Sequence, residues 1–145
     1  MTSKIHHHTA STDLDTNDRL DSSGLLRSTL RVNAALSACS GIVLAIIPGR
    51  IDDVLDTGHP GWVRFVGIAF VVFAVDVAWL SLQQVAALRT FTPVVVAMDA
   101  SYVGASLVTV AVGWYSTGGA VLVAVGAAPV AGFAVLQFLG WQRLR

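Results

Sequence analysis

The chain has 145 residues, of which 54% are hydrophobic and only 12% charged, with nine Lys/Arg balanced by nine Asp and no Glu. A soluble domain usually carries about 25% charged residues, and no basic run offers a footprint for nucleic acid. Composition therefore excludes an ordinary soluble domain and a nucleic-acid binder, and the lone Cys39 excludes an internal disulfide and CxxC chemistry.

In chain order, the first segment is "MTSKIHHHTASTDLDTNDRLDSSG", rich in Thr, Ser, Asp and Asn and almost free of apolar groups. Residues 1–27 are expected to form a disordered cytoplasmic tail. His6-His7-His8 has the chemistry to chelate a divalent metal, but a mobile three-histidine tract reads as incidental. No metal site and no cofactor is expected.

Residues 28–145 are expected to form an all-α membrane domain, a bundle of four transmembrane helices at about 28–47, 62–82, 92–112 and 118–139. Each approaches the roughly 20 residues needed to cross a bilayer. "FVGIAFVVFAV" (Phe65–Val75) has no polar side chain on any face, which argues against an amphipathic helix of a soluble bundle. Within the first helix, "LSAC" (Leu36–Cys39) matches the box cut before lipoprotein cysteines. Such a signal places its apolar region before the cleavage site, whereas here the apolar run begins near Cys39 and continues past it. Cys39 is thus read as a small buried hydrophobe. Pro93 is expected in the first turn of the third helix, where its missing N–H is harmless. The segments Pro48–Gly61, Gln83–Phe91 and Gly113–Thr117 are expected to connect the helices.

Lys4, Arg19, Arg27, Arg31, Arg89, Arg143 and Arg145 fall on one side of this topology, and Arg50 and Arg64 on the other. By the positive-inside rule both termini are expected in the cytoplasm of a bacterial inner-membrane protein. Trp62, Trp114 and Tyr115 then lie near the outer boundary, and Trp79 and Trp141 near the inner one, as an aromatic belt.

Ionisable residues inside a span are costly and usually face a partner. The expected polar intramembrane layer comprises Arg31, Asn33, Asp76, Asp99, Tyr102, Ser106 and Gln137, with both carboxylates on the order of 10 Å inside the cytoplasmic boundary. Asp99, Tyr102, Ser106, Thr109 and Gly113 follow alternating steps of three and four, a single inward seam. Arg31 is expected to pair with Asp99 or Asp76. Ala120, Ala124, Ala128 and Gly132 form a small-xxx-small ridge suited to close helix packing, and Pro129 should kink that helix. A tandem two-helix repeat is also visible: aligning Asn33 with Asp99 brings Ala34 onto Ala100 and Ser40 onto Ser106.

"LRVNAALSACSGIVLAIIPG", "VRFVGIAFVVFAV" and "MDASYVGASLV" resemble segments of small four-helix bacterial integral membrane proteins. The resemblance covers about Leu30 to Arg145. It implies a fold and a location, attaches no activity, and draws attention to Asn33, Arg64, Gly67, Asp99, Tyr102 and Ser106. The small multidrug transporters place a Glu in the middle of the first helix, where this chain has Asn33 near the helix end.

No Ser/His/Asp set, HExxH or phosphate-binding glycine loop occurs in the apolar segments, so no enzyme is expected. His59 with Asp52, Asp53 and Asp56 reads as a solvated acidic loop. Two functional expectations remain. One is a non-enzymatic membrane component acting through helix contacts, as an accessory subunit or homo-oligomer. The other is proton-coupled transport of a small solute using Asp99 and Asp76. The expected partners are the lipid bilayer and a second copy or another membrane protein.

Overall fold

The computed structural model describes residues 6–144, with side chains for residues 24–144. It is helical throughout: α1 (His6–Ile46), α2 (Pro48–Leu55), α3 (Pro60–Ser81), α4 (Val85–Ala111) and α5 (Thr117–Arg143). Four segments are long and apolar enough to cross a membrane: Gly24–Ile46, Pro60–Ser81, Val85–Ala111 and Thr117–Arg143. At 1.5 Å per residue they reach about 33–40 Å, against a hydrocarbon core of about 30 Å. The chain is a membrane protein. The backbone is helical from His6, inside the segment whose composition points to disorder. Lys4 and Arg145, and the side chains of His6-His7-His8 and Arg19, lie outside the described residues.

Two connections differ from the sequence expectation. The segment Pro48–Gly61 contains a helix, α2, and both α2 and α3 start with proline in the first helical turn, the position where a proline ring is pre-organised. The link Gln83–Phe91 shrinks to a turn, because Val85 to Phe91 extend α4 by two turns. Ala86, Ala87, Leu88 and Arg89 are strong helix formers, so extension is locally favourable.

Pro93 is consequently an interior residue of α4 rather than a first-turn one. It cannot donate to the Arg89 carbonyl one turn earlier. The Trp141 indole N–H of α5 donates to that carbonyl at 2.8 Å. A cross-helix donor thus replaces the lost helical bond, the way membrane helices tolerate proline.

Helix α1 packs most extensively on α3, and α4 on α5; α1 meets α5 next, and α3 touches α4 only lightly. This leaves α1 opposite α4 and α3 opposite α5, the order of any up-and-down bundle of four consecutive spans. The α1–α3 crossing is backbone to backbone. A Cβ on Gly41 would lie 2.7 Å from the Gly67 carbonyl oxygen, and one on Gly67 would lie 2.6 Å from the Ala45 nitrogen.

The two ends of the molecule are fastened differently. At the end carrying the chain termini, Leu26, Leu30, Ala34, Val77, Leu80, Leu88, Val95 and Leu144 form the apolar core, with Phe73 against it. There the Arg27 guanidinium donates to the carbonyls of Ser81 at 2.6 Å and Gln83 at 2.5 Å. A cation on the last carbonyls of α3 satisfies orphan acceptors and suits the helix dipole. At the opposite end α2 rests against α3, α5 and α1. Gly113, with φ of 71°, closes α4. Ser116 caps α5 by accepting from the Gly119 N–H at 3.0 Å, and its hydroxyl donates to the Val54 carbonyl at 2.7 Å.

Candidate functional site: a buried polar centre

The inward face of α1 is Leu26, Leu30, Asn33, Ser37 and Gly41, and that of α4 is Leu88, Thr92, Val95, Asp99 and Ser106. Both follow steps of three and four, so each helix keeps one seam inward. Asn33 and Asp99 lie on these seams and meet across the middle of the molecule. The Asn33 amide Nδ2 donates to Asp99 Oδ2 at 2.8 Å, and the Ser37 hydroxyl approaches Asn33 Oδ1 at 3.4 Å. Asn33 and Asp99 retain 1% and 3% of their surface.

Because α4 begins at Val85, Asp99 stands close to the midpoint of its helix, fourteen residues from one end and twelve from the other. It is therefore deeper than a helix starting near Thr92 would place it. From α5, Gln137 is fully buried and close enough to the Asp99 carboxyl to influence it, yet neither amide atom has a hydrogen-bond partner. Thr92, two turns before Asp99 on the same seam, is also fully buried, with its hydroxyl unpartnered.

Ser106 is buried two turns past Asp99 on the same seam. Tyr102 is half-buried and lies edge-on to Phe70, with ring centroids 5.0 Å apart. Its hydroxyl passes over Gly126, where a Cβ would be 3.7 Å away. On the α2 side of the centre, a cavity of about 400 Å³ opens between α1, α2 and α5, with Phe70 of α3 and Tyr102 of α4 at its wall. Its wall is mainly apolar, with Ser37, Ser40 and Tyr102 among its few polar groups.

Several expected members do not join this centre. Arg31 and Asp76 stand on exposed faces of α1 and α3. An amide, Asn33, takes the place by Asp99 expected for the Arg31 guanidinium. The reason is phase: Arg31 is two positions from Asn33, about 200° round the helix. Cys39 is exposed at the cavity rim instead of buried. The ridge also turns outward. Ala124, Ala128 and Gly132 are exposed, Ala120 is half-buried, and a Cβ on Gly132 would touch nothing within 4 Å. Close packing resides in Gly41 and Gly67 instead.

Arg27, Thr92 and Trp141 escape a reading of the sequence for functional residues. Thr92 is legible as the residue seven before Asp99, and Arg27 as a basic residue at a span boundary. The Trp141–Arg89 contact follows from Pro93 only once α4 is known to extend past it. In the α2 end, Asp52 accepts from the Thr57 hydroxyl, which in turn accepts from the His59 backbone N–H at 3.3 Å. That is turn capping. No group of three or more His, Cys, Asp or Glu suited to a metal ion occurs among the described residues. No protein-family model matches this sequence, and no curated protein or solved structure matches it significantly.

Proposed function

We propose that this chain is a non-enzymatic, four-helix transmembrane bundle of the bacterial inner membrane, with both termini cytoplasmic, that acts through contacts of its outward helix faces. The partner is a second copy or a larger membrane assembly. The observation that carries this reading is the placement of Asp76. Arg27 binds the end of α3 at Ser81, and Asp76 lies five residues inside Ser81, about 8 Å deeper. Its carboxyl is on an exposed face, which in a monomer is lipid. Charged groups in that position normally have a protein partner.

Arg31 supplies a complement. It lies four residues beyond Arg27, about 6 Å deeper, and also on an exposed face. A second copy could therefore present Arg31 to Asp76 at matching depth. The outward Ala124–Ala128–Gly132 ridge offers a surface on which another helix can approach closely. Mass measurement in nanodiscs, with crosslinking through the exposed Cys39, tests the reading. An oligomer that dissociates in Asp76→Leu and in Arg31→Leu, and reforms when the two charges are exchanged, is the expected result. A strictly monomeric parent protein without a bound membrane partner would sink it.

Proton-coupled solute transport remains as a second reading, favoured by the unpartnered polar atoms beside Asp99. It now rests on Asp99 alone, since Asp76 faces away. Its test is pH-gradient-driven flux in proteoliposomes, compared with Asp99→Asn. No flux of any solute in the parent protein would remove it.

A further inference from the structure

We propose that Asp99 and Gln137 form a buried, exchangeable binding site for a monovalent cation, a proton or Na⁺, reached from the cavity beside Ser37 and Tyr102. The site stands whether or not the chain assembles with a partner.

Charge is the first argument. Asp99 is near the middle of a 27-residue span and 97% buried, since only 3% of its surface remains. A carboxylate has about four lone-pair positions; Asn33 donates to it at 2.8 Å, and the Gln137 amide approaches it more loosely, without a hydrogen bond within 3.5 Å. Among the described residues no cationic side chain pairs with it, and Arg31 faces outward. An isolated carboxylate in a low-dielectric interior is so costly that it acquires a counter-charge or a proton. The described residues supply neither, so the counter-charge is drawn from solution.

The second argument is Gln137. Its amide is wholly buried near that carboxyl, and neither Oε1 nor Nε2 reaches a hydrogen-bond partner within 3.5 Å. Unsatisfied polar atoms in a membrane interior are costly, because no water is there to replace the missing bonds. A proton on Asp99 Oδ1 would donate to Gln137 Oε1, satisfying both. A Na⁺ ion would take the same two oxygens and complete its shell with water, as hard cations prefer oxygen ligands. The two cations share one set of atoms, and experiment distinguishes them.

Access is the third. The cavity on the α2 side of the centre is walled in part by Ser37, which bonds Asn33, and by Tyr102, one turn past Asp99, whereas the end bearing the chain termini is closed by the apolar core around Thr92. The other groups facing Asp99 are few. α1 presents Asn33 and Ser37, α5 presents Gln137, and α4 itself presents Tyr102 one turn away. α3 turns its only acid, Asp76, outward. Among the described residues, Tyr102 is thus the other titratable side chain on the faces turned to the site.

The test uses the full chain in nanodiscs, with thermal unfolding in NaCl against choline chloride at equal ionic strength. A parallel infrared titration follows the carboxyl band from about pH 5 to about pH 9. A Na⁺ site raises the melting temperature by about 4 °C over choline, and Asp99→Asn and Gln137→Leu both lose the shift. A proton site shows no Na⁺ preference. It shows instead a protonated-carboxyl band that titrates in the parent protein, is missing in Asp99→Asn, and moves its midpoint in Gln137→Leu. Circular dichroism and particle size confirm that each variant is folded. Na⁺ acting no differently from choline, with a carboxyl band constant across the pH range, overturns the proposal. So does a response that Gln137→Leu leaves unchanged.

Discussion

The α1–α3 pair and the α4–α5 pair are both helical hairpins built from small and branched apolar residues, yet they are held by different means. α1 and α3 touch through Gly41 and Gly67, with no room for a Cβ on either. α4 and α5 each contain an interior proline and leave most of their surface exposed, with only 17% of each span's most apolar window buried. Their small residues at Ala124, Ala128 and Gly132 face away from the chain. The same small-xxx-small chemistry thus closes one hairpin and leaves a face free on the other. Small residues permit close approach; they do not choose the partner.

Gly67→Val strikes the first hairpin hardest. Its Cβ meets backbone at Ala45, which cannot rotate away, so a loss of about 3 kcal/mol is expected in detergent-titrated unfolding. Parent-like stability would show that the α1–α3 crossing is not the tight one. Asn33→Ala removes the bond that spans the two hairpins and strips Asp99 of its donor, at a cost of about 2 kcal/mol. Arg27→Ala frees the last carbonyl of α3, on Ser81, and that of Gln83 in the following turn, at the membrane boundary where water can partly replace the guanidinium. About 1 kcal/mol is expected, with early hydrogen exchange confined to the last turn of α3.

A smaller effect comes from the second hairpin. Trp141→Phe keeps the ring but loses the donor to Arg89, and about 0.6 kcal/mol is expected, the average for a membrane hydrogen bond. Replacing Pro93 with Ala in the same background restores the helical N–H and should cancel that loss. A double variant no more stable than Trp141→Phe alone would break the link between the two residues. Gly132→Ala sits at the bottom of the scale. Open space surrounds it, so unfolding should change by less than about 0.5 kcal/mol. A larger effect on the monomer would mean that the ridge packs within the chain after all.

Much of this architecture is legible in the order of the residues. The four spans can be read from runs of apolar residues, because a bilayer rewards length and hydrophobicity whatever the neighbouring helices are. Asn33, Asp99, Ser106 and Gln137 can be read as inward-facing polar residues, because polar groups in apolar helices are few and their heptad phase is explicit, and of these the structure bonds Asn33 to Asp99. Depth alone places Arg31 and Asp76 beside them too. Depth is a property of sequence position, but the facing direction also depends on how each helix is rotated against its neighbours. Taking Pro93 as a boundary misplaces the start of α4. In water that inference is sound, but a tryptophan from another helix supplies the missing donor here.

That this chain enters a membrane, where its spans lie and which polar residues they carry are properties of the sequence alone, since each follows from local transfer energetics. Packing decided which of two small-residue patterns closes a hairpin, and whether Asn33 or Arg31 meets Asp99. It also decided that Gln137 would be buried beside that carboxyl without a bonding partner. Lipid and helix surfaces are almost equally apolar, so hydrophobicity cannot rank one helix face above another. Backbone fit at Gly41 and Gly67, and a few polar contacts such as Asn33 to Asp99, set the rotations that periodicity left open.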